Sequence, residues 1–136
     1  MKPITAEQAI ALIKKFQVSN TFGISDDEIN SIWLQMEEKP FVYLCEASID
    51  EPFTEGSNRI EKLLKMMKPE VDAMDKTPRS FIILIMKTKK ASPQMEEMDA
   101  IYDFMEFYEE VEYKWLMNPL EDESYTIMMQ MIIVTD

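Results

Sequence analysis

An uninterrupted apolar run, Phe-Ile-Ile-Leu-Ile-Met at residues 81–86, leaves little freedom for the fold of this chain. A strand with one face in water alternates apolar and polar residues, whereas this run has no polar position on either face. It is also shorter than an ordinary buried helix. The run therefore predicts a central strand, and a sheet that is buried on both faces needs helices packed against each of them.

Four helices are predicted from capping residues and from apolar side chains spaced three and four residues apart. The pairs Thr5 with Gln8 and Ser25 with Glu28 have the form of capping boxes. They open a first helix within residues 5–17 and a second helix that ends near residue 39.

The third helix is expected to end before Pro69, because proline inside a helix removes a hydrogen bond. The fourth is expected to begin with Ser92 as its N-cap and Pro93 at the first helical position. Its acidic residues, Glu96 and Glu97 among them, are assigned to a solvated face. The apolar stripes of these two helices are Ile60, Leu63, Leu64 and Met67, and Met95, Met98, Ile101, Tyr102 and Met105.

Three further strands are predicted at residues 41–49, about 111–118 and 125–135. The last two are joined by a short acidic link, so we expect them to be antiparallel neighbours. The predicted fold is an α/β (α+β) sandwich with a four-stranded mixed sheet, in the order α-α-β-α-β-α-β-β. At 136 residues, we expect one domain over the whole chain.

Composition argues against several classes of function. There is no histidine, which removes imidazole bases and the commonest transition-metal ligand. There are two glycines, too few for a loop that wraps phosphates with backbone N–H groups. The net charge of −12 disfavours nucleic acid as a partner. We therefore expect a protein that is not an enzyme, with no cofactor and no identified small-molecule substrate.

Cys45 is the single cysteine and lies in an apolar run, so it predicts a small buried residue in a reducing compartment. Trp33 and Trp115 are expected in the core, with a partner contact as the alternative. No apolar run approaches the length of a membrane span, and residues 1–8 lack the pattern of a signal peptide. We expect a cytoplasmic protein without membrane insertion.

Acidic runs at residues 96–97, 109–110 and 121–123 raise the question of a divalent metal site with oxygen ligands. None of the three has the spacing of a calcium-binding loop. Solvated helix and loop faces are the preferred interpretation, and no metal site is predicted.

Several strings of the sequence are similar to one family. Residues 95–105 (Met-Glu-Glu-Met-Asp-Ala-Ile-Tyr-Asp-Phe-Met), residues 111–115 (Val-Glu-Tyr-Lys-Trp) and residues 132–136 (Ile-Ile-Val-Thr-Asp) resemble the last helix and last two strands of the C-terminal domain of FtsZ. FtsZ is the bacterial tubulin homologue that polymerises in cell division. Residues 53–59 resemble the loop after the first strand of that domain. The family usually ends its last strand in Ala-Thr-Gly, which this chain lacks.

The resemblance divides the chain into three parts. Residues 5–17 resemble the end of the long central helix of FtsZ, residues 21–39 a segment like its catalytic synergy loop with the following helix, and residues 40–136 its C-terminal sheet and helices. The resemblance also implies that the GTP-binding half of the family is missing, since two glycines cannot supply its phosphate loop.

In the family, an asparagine and two aspartates of the synergy loop enter the nucleotide pocket of the next subunit and help place the attacking water. Gly23, Ser25 and Glu28 stand at those positions here, so the resemblance implies little or no activation of a neighbour's GTPase. Asp26 and Asp27 could substitute. The same residues are also typical of an ordinary helix start, where acids favour the helix dipole.

The leading hypothesis is an FtsZ-like interaction protein without a GTP site, which caps or modulates FtsZ-like or tubulin-like filaments in cell division. Its partner would be an FtsZ-like protein or a second copy of itself. The predicted interface is Gly23, Ser25, Asp26, Asp27 and Glu28.

Two alternatives belong to other classes. One is a stand-alone homo-oligomeric module that acts as a scaffold. The other is an enzyme like the trimeric bacterial chorismate mutases, which have a similar arrangement of sheet and helices. Their sites hold a dicarboxylate with arginines, and this chain has two arginines, Arg59 and Arg79, on a strongly acidic background.

Overall fold

A mixed sheet with helices on both faces forms the part of the chain that the structure describes. The structure is a computed structural model, and it describes residues 1–16, 24–37 and 41–135. The strands and helices in chain order are β1 (Lys2–Ile4), α1 (Ala6–Lys14), α2 (Asp26–Glu37), β2 (Val42–Asp50), α3 (Arg59–Asp72), β3 (Pro78–Thr88), α4 (Met95–Met105), β4 (Glu112–Leu120) and β5 (Thr126–Thr135).

The last strand of the chain lies at the centre of the sheet, whose order is β1-β2-β5-β3-β4. Strand β5 pairs antiparallel with β2 on one side and with β3 on the other. The expectation that the last two strands are neighbours is therefore wrong. In the second half of β5 the side chains on both faces are at most 2% exposed, Met131 and Ile133 on one face and Ile132 and Val134 on the other. A strand that is apolar on both faces gains most at the centre.

Strand β4 takes an edge position and runs parallel to β3, to which α4 connects it. It carries Glu112, Lys114 and Pro119. Proline has no N–H to donate to a neighbouring strand, so within sheets it is found mainly in edge strands. The link from β4 to β5 passes the end of β3, where the Thr88 hydroxyl donates to the Ser124 carbonyl at 2.7 Å.

Over the described residues the sheet has five strands and not the predicted four. The additional strand, β1, pairs antiparallel with the outer edge of β2, with Lys2 opposite Leu44. Three residues are too few to show an alternating pattern, so this strand has no signal in the sequence. It forms because β2 offers it an unpaired edge.

The predicted strand at residues 81–86 is confirmed as an interior strand, between β5 and β4, and its two faces belong to two separate cores. Phe81, Ile83 and Ile85 pack with α3 and α4. Ile82 and Leu84 pack with α1 and α2 on the opposite face. All five are at most 2% exposed, which explains why the run carries no polar residue.

Both predicted capping boxes are present. The Gln8 backbone N–H donates to Thr5 Oγ1 at 3.0 Å, and the Thr5 backbone N–H donates to Gln8 Oε1 at 2.9 Å. Helix α1 buries Ala9, Ile10 and Ile13. The predicted end of α2 near residue 39 lies outside the described residues.

Helix α3 does not stop before Pro69 but continues through it to Asp72. Pro69 has no N–H to donate to the carbonyl four residues earlier, so continuation costs the helix that one hydrogen bond. The extra turn brings Val71 into the core at 3% exposure, which favours continuation.

Helix α4 begins later than predicted, at Met95, with Gln94 as its N-cap. Ser92 is engaged elsewhere: its hydroxyl accepts from Lys87 Nζ at 2.7 Å and its carbonyl accepts from Arg59 Nη2 at 3.2 Å. The predicted burial of Met98, Ile101 and Met105 is confirmed, whereas Met95 and Tyr102 are 74% and 54% exposed.

Candidate functional site

The first turn of α2 brings together Ser25, Asp26, Asp27 and Glu28. The Glu28 backbone N–H donates to Ser25 Oγ at 3.2 Å, and the Ser25 backbone N–H donates to Glu28 Oε1 at 3.4 Å. Ile24 and Ile29 flank this capping box and are both buried, as in a hydrophobic staple. The first turn of α2 is therefore stabilised both by the hydrogen bonds of its capping box and by the burial of the two flanking isoleucines.

Glu28 also connects α2 to the edge strand of the sheet. Its Oε2 accepts a hydrogen bond from Lys114 Nζ on β4. The two residues of this ion pair are 86 positions apart in the sequence. This hydrogen bond, with those from Ser25, lowers the pKa of Glu28 below its ordinary value. The carboxylate is thus charged and held in one orientation, beside a cleft of about 210 Å³ between α2 and strands β3 and β4.

Asp26 and Asp27 are exposed on the same turn. Asp26 borders an open groove of about 650 Å³ between α1 and α2, into which Lys14 and Trp33 also face. Carboxylates at the N-terminus of a helix favour its dipole, so their position suits both a helix start and a contact surface. Gly23, the remaining predicted site residue, lies outside the described residues.

The arrangement does not resemble a water-positioning site. Ser25 and Glu28 are bonded to each other, and Glu28 is bonded to Lys114 as well. Among the described residues, no three Cys, Asp or Glu side chains are close enough together to hold a metal ion. The turn therefore presents two exposed aspartates beside a glutamate whose charge is paired with Lys114.

The sequence interpretation of residues 96–97 as a solvated pair is wrong for Glu97. Glu97 is 5% exposed and its carboxylate binds the guanidinium of Arg59, which is 0% exposed. A glutamate in an acidic string gives no sign of burial, since its buried partner stands 38 residues away. The pair joins the starts of α3 and α4.

Cys45 is buried as predicted, and its thiol donates to Glu70 Oε2 at 3.1 Å. Burial, together with the Glu70 carboxylate, raises the pKa of Cys45 to about 12. Trp33 and Trp115 are half-buried at the margins of the two cores, so their expected full burial is only partly met. No described helix has the length and apolar character needed to cross a membrane.

Comparison with solved structures shows a fold shared with FtsZ and TubZ. An FtsZ dimer from M. jannaschii matches with a TM-score of 0.55 and 11% identity, over 88% of this chain and 34% of that one. A mutant FtsZ from M. jannaschii matches with a TM-score of 0.59 and 12% identity, over 94% of this chain and 38% of that one. GDP-form protofilaments of TubZ from Bacillus thuringiensis serovar israelensis match with a TM-score of 0.51 and 11% identity, over 86% and 33%.

No family model and no curated protein matches the sequence. The chain spans about a third of the length of the FtsZ and TubZ chains that it matches. At this level of identity the likeness concerns the fold alone, because one fold hosts many functions. The fold is consistent with that of the C-terminal domain of FtsZ.

Proposed function

We propose that this chain is a non-enzymatic, FtsZ-like interaction protein that docks on FtsZ-like or tubulin-like filaments and caps or modulates them. The observation that carries the proposal is the fold: about nine-tenths of the chain superposes on roughly a third of FtsZ and of filament-forming TubZ. The string resemblance at residues 95–105 and 111–115 points to the same family.

The proposed docking surface is the first turn of α2, with Gly23 preceding it. Asp26 and Asp27 are exposed there, and Glu28 is held by Lys114. In the family that this chain resembles, the corresponding loop contacts the nucleotide pocket of the next subunit. Ser25 and Glu28 are occupied by their own capping box, so docking at this surface would not place a water molecule for GTP hydrolysis.

Docking of this kind terminates growth. A subunit that joins a filament end through this surface without supplying a nucleotide pocket offers the next subunit no pocket to enter. Because one molecule per filament end is sufficient, the effect on polymer mass is expected well below a one-to-one ratio.

The test is to titrate the FtsZ of the same organism with this protein and to follow polymer by light scattering and GTP turnover by phosphate release. Polymer loss at substoichiometric ratios is the expected result. The Asp27→Lys variant, which alters an exposed side chain, is expected to abolish the effect. An unchanged scattering curve at an equimolar ratio would refute filament capping.

Exchanging the charges of Glu28 on α2 and Lys114 on β4 tests whether Glu28 contacts the filament or only stabilises the fold. Glu28→Lys alone breaks the ion pair with Lys114, so loss of activity in that variant has two explanations. Glu28→Lys combined with Lys114→Glu restores an ion pair but still presents a cation at residue 28. Continued loss of capping in the double variant indicates a contact role, whereas full recovery shows that the pair only supports the fold.

Self-association is the second candidate, and the edge strand β4 favours it. Among the described residues, β4 pairs with β3 alone, so its other edge is open. Open edges pair readily with a second copy of the same chain. Light scattering after size-exclusion chromatography distinguishes the two candidates: a stable oligomer that leaves FtsZ polymers unchanged favours the scaffold.

A further inference from the structure

A groove of about 320 Å³ runs between α3 and α4, on the face of the sheet opposite to α1 and α2. The two helices lie side by side and point in the same direction. They start together where Arg59 binds Glu97, and they end together where Lys68 Nζ lies 4.6 Å from the centre of the Phe107 ring. The groove is therefore on the far side of the sheet from the first turn of α2.

The floor of the groove is apolar. Leu64 of α3 and Ala100 and Phe104 of α4 line it, and Phe107 closes one end. Phe107 is 69% exposed, although burying an aromatic ring is worth several times the burial of one methylene group. A groove with an apolar floor and a largely exposed aromatic ring at its end suits apolar side chains of a partner.

The two walls differ in their free charge. On the α3 wall, Lys65 Nζ lies 2.9 Å from Glu61 Oε1, and Lys68 Nζ lies 2.5 Å from Asp72 Oδ2. Each lysine is therefore paired with a carboxylate of its own helix. The α4 wall is acidic and exposed. Its carboxylates are Glu96, Asp99 and Asp103, and none of the three forms an ion pair with a cation in the described part of the chain.

These carboxylates are spaced three and four residues apart, so they lie along one side of α4 over about 10 Å. A second helix with lysines or arginines at the same spacing would place each cation opposite a carboxylate. Apolar residues one helix face away would then reach Leu64, Phe104 and Phe107. The net charge of −12 attracts such a partner at long range.

We propose that the groove between α3 and α4 binds a basic amphipathic helix of a partner protein. The acidic wall of α4 pairs with its cations, and the apolar floor takes its hydrophobic side chains, a recognition mode in which a helix lies in a groove. The site is separate from the filament-docking surface, so the protein would join two partners across its sheet.

The probe is a fluorescein-labelled synthetic helix of about 16 residues, with lysines spaced three and four apart and leucines on the adjoining stripe. Two control peptides keep its length: one has glutamate in place of the lysines, and the other has serine in place of the leucines. Fluorescence anisotropy at physiological salt measures binding to the intact protein. The lysine and leucine peptide is expected to bind, and each control peptide is expected to bind at least tenfold more weakly.

Three protein variants locate the site. Asp99→Lys combined with Asp103→Lys is expected to weaken binding about tenfold or more. Phe107→Ala removes the exposed ring and is expected to weaken it severalfold. The matched control is Glu109→Lys combined with Glu110→Lys, which makes the same change in net charge at exposed residues that do not line the groove. Circular dichroism establishes that each variant is folded.

Equal weakening by the groove pair and by the control pair would show attraction to net charge alone and would overturn the proposal. Equal binding of the serine peptide, or no binding of the leucine peptide, would also overturn it. The groove variants are expected to leave filament capping unchanged, and Asp27→Lys is expected to leave peptide binding unchanged. Failure of one proposal is therefore visible apart from failure of the other.

Discussion

Arg59 and Glu97 form a bidentate ion pair that water does not reach. Arg59 Nε donates to Oε2 of Glu97 at 3.0 Å, and Nη2 donates to Oε1 at 2.8 Å. Nη1 also donates to the Glu51 carbonyl at 3.1 Å, and Nη2 to the Ser92 carbonyl at 3.2 Å. No buried side-chain nitrogen or oxygen of the described residues lacks a partner. The pair joins α3, α4 and the segments that lead into them.

Removing one member of this pair should destabilise the protein strongly. Glu97→Ala leaves a buried guanidinium without its carboxylate, so the free energy of unfolding is expected to fall by about 3–5 kcal/mol. Glu96→Ala, at the exposed neighbouring position, is the matched control and is expected to stay within about 0.5 kcal/mol. Urea unfolding followed by circular dichroism measures both, and equal effects would contradict the buried pair as described.

Replacing both members tests whether the pair itself stabilises the fold. Arg59→Met combined with Glu97→Leu leaves no unpaired charge, so this variant is expected to be several kcal/mol more stable than the sum of the two single variants predicts. Additive losses would show that Arg59 and Glu97 act independently.

Stability should fall in acid because of Glu97. Burial by itself would raise the pKa of this carboxyl, but hydrogen bonds from the Arg59 side chain, the Gln94 backbone and the Arg59 backbone outweigh it and lower the pKa below the ordinary 4.5. A carboxyl with a lower pKa in the folded state stabilises the fold above pH 4.5. That stabilisation is lost as the pH falls through the folded-state pKa.

Urea unfolding at a series of pH values from about 7 to 3 measures this dependence. Glu97→Gln is expected to be less stable than the wild type near neutrality, and its stability should depend less on pH below about 4.5. Parallel curves for the two proteins would show that Glu97 does not contribute to acid unfolding.

Cys45 should be nearly inert in the folded protein. Its pKa is raised to about 12 by burial and by Glu70, so little thiolate is present at pH 8. Alkylation by iodoacetamide is expected to be about 100-fold or more slower in buffer than in strong urea. Glu70→Gln removes the second cause but not the first, so its native thiol should still react slowly. Rapid native labelling would contradict the burial.

Gly56 should resist substitution although space is available. It has φ +83°, in the left-handed region, and an added Cβ would meet no atom within 4 Å. Gly56→Ala is expected to cost about 1 kcal/mol through backbone strain alone, while Gly56→Asn should cost less because asparagine tolerates this conformation. Equal costs for the two variants would place the effect elsewhere than in the backbone.

The sequence predicted correctly those features that depend only on residues close together in the chain. The capping boxes of Thr5 and Ser25 and the buried strand at residues 81–86 depend on neighbours within a few positions, and all three are confirmed. The first turn of α2 was recognised as an acidic helix start for the same reason. Its ion pair with Lys114 was not, since the partner lies on a strand far along the chain.

The apolar run and the helix stripes by themselves determined that this chain builds helices on both faces of a mixed sheet, because such periodicity can bury its apolar side in few other ways. The tertiary structure decided which strands meet: it placed β5 between β2 and β3, and β4 on the other side of β3 at the edge. It also turned Glu97 inward, added β1 at an open edge and opened the groove along α4. Those outcomes depend on competition between distant segments for pairing and burial, and no window of neighbouring residues contains that competition.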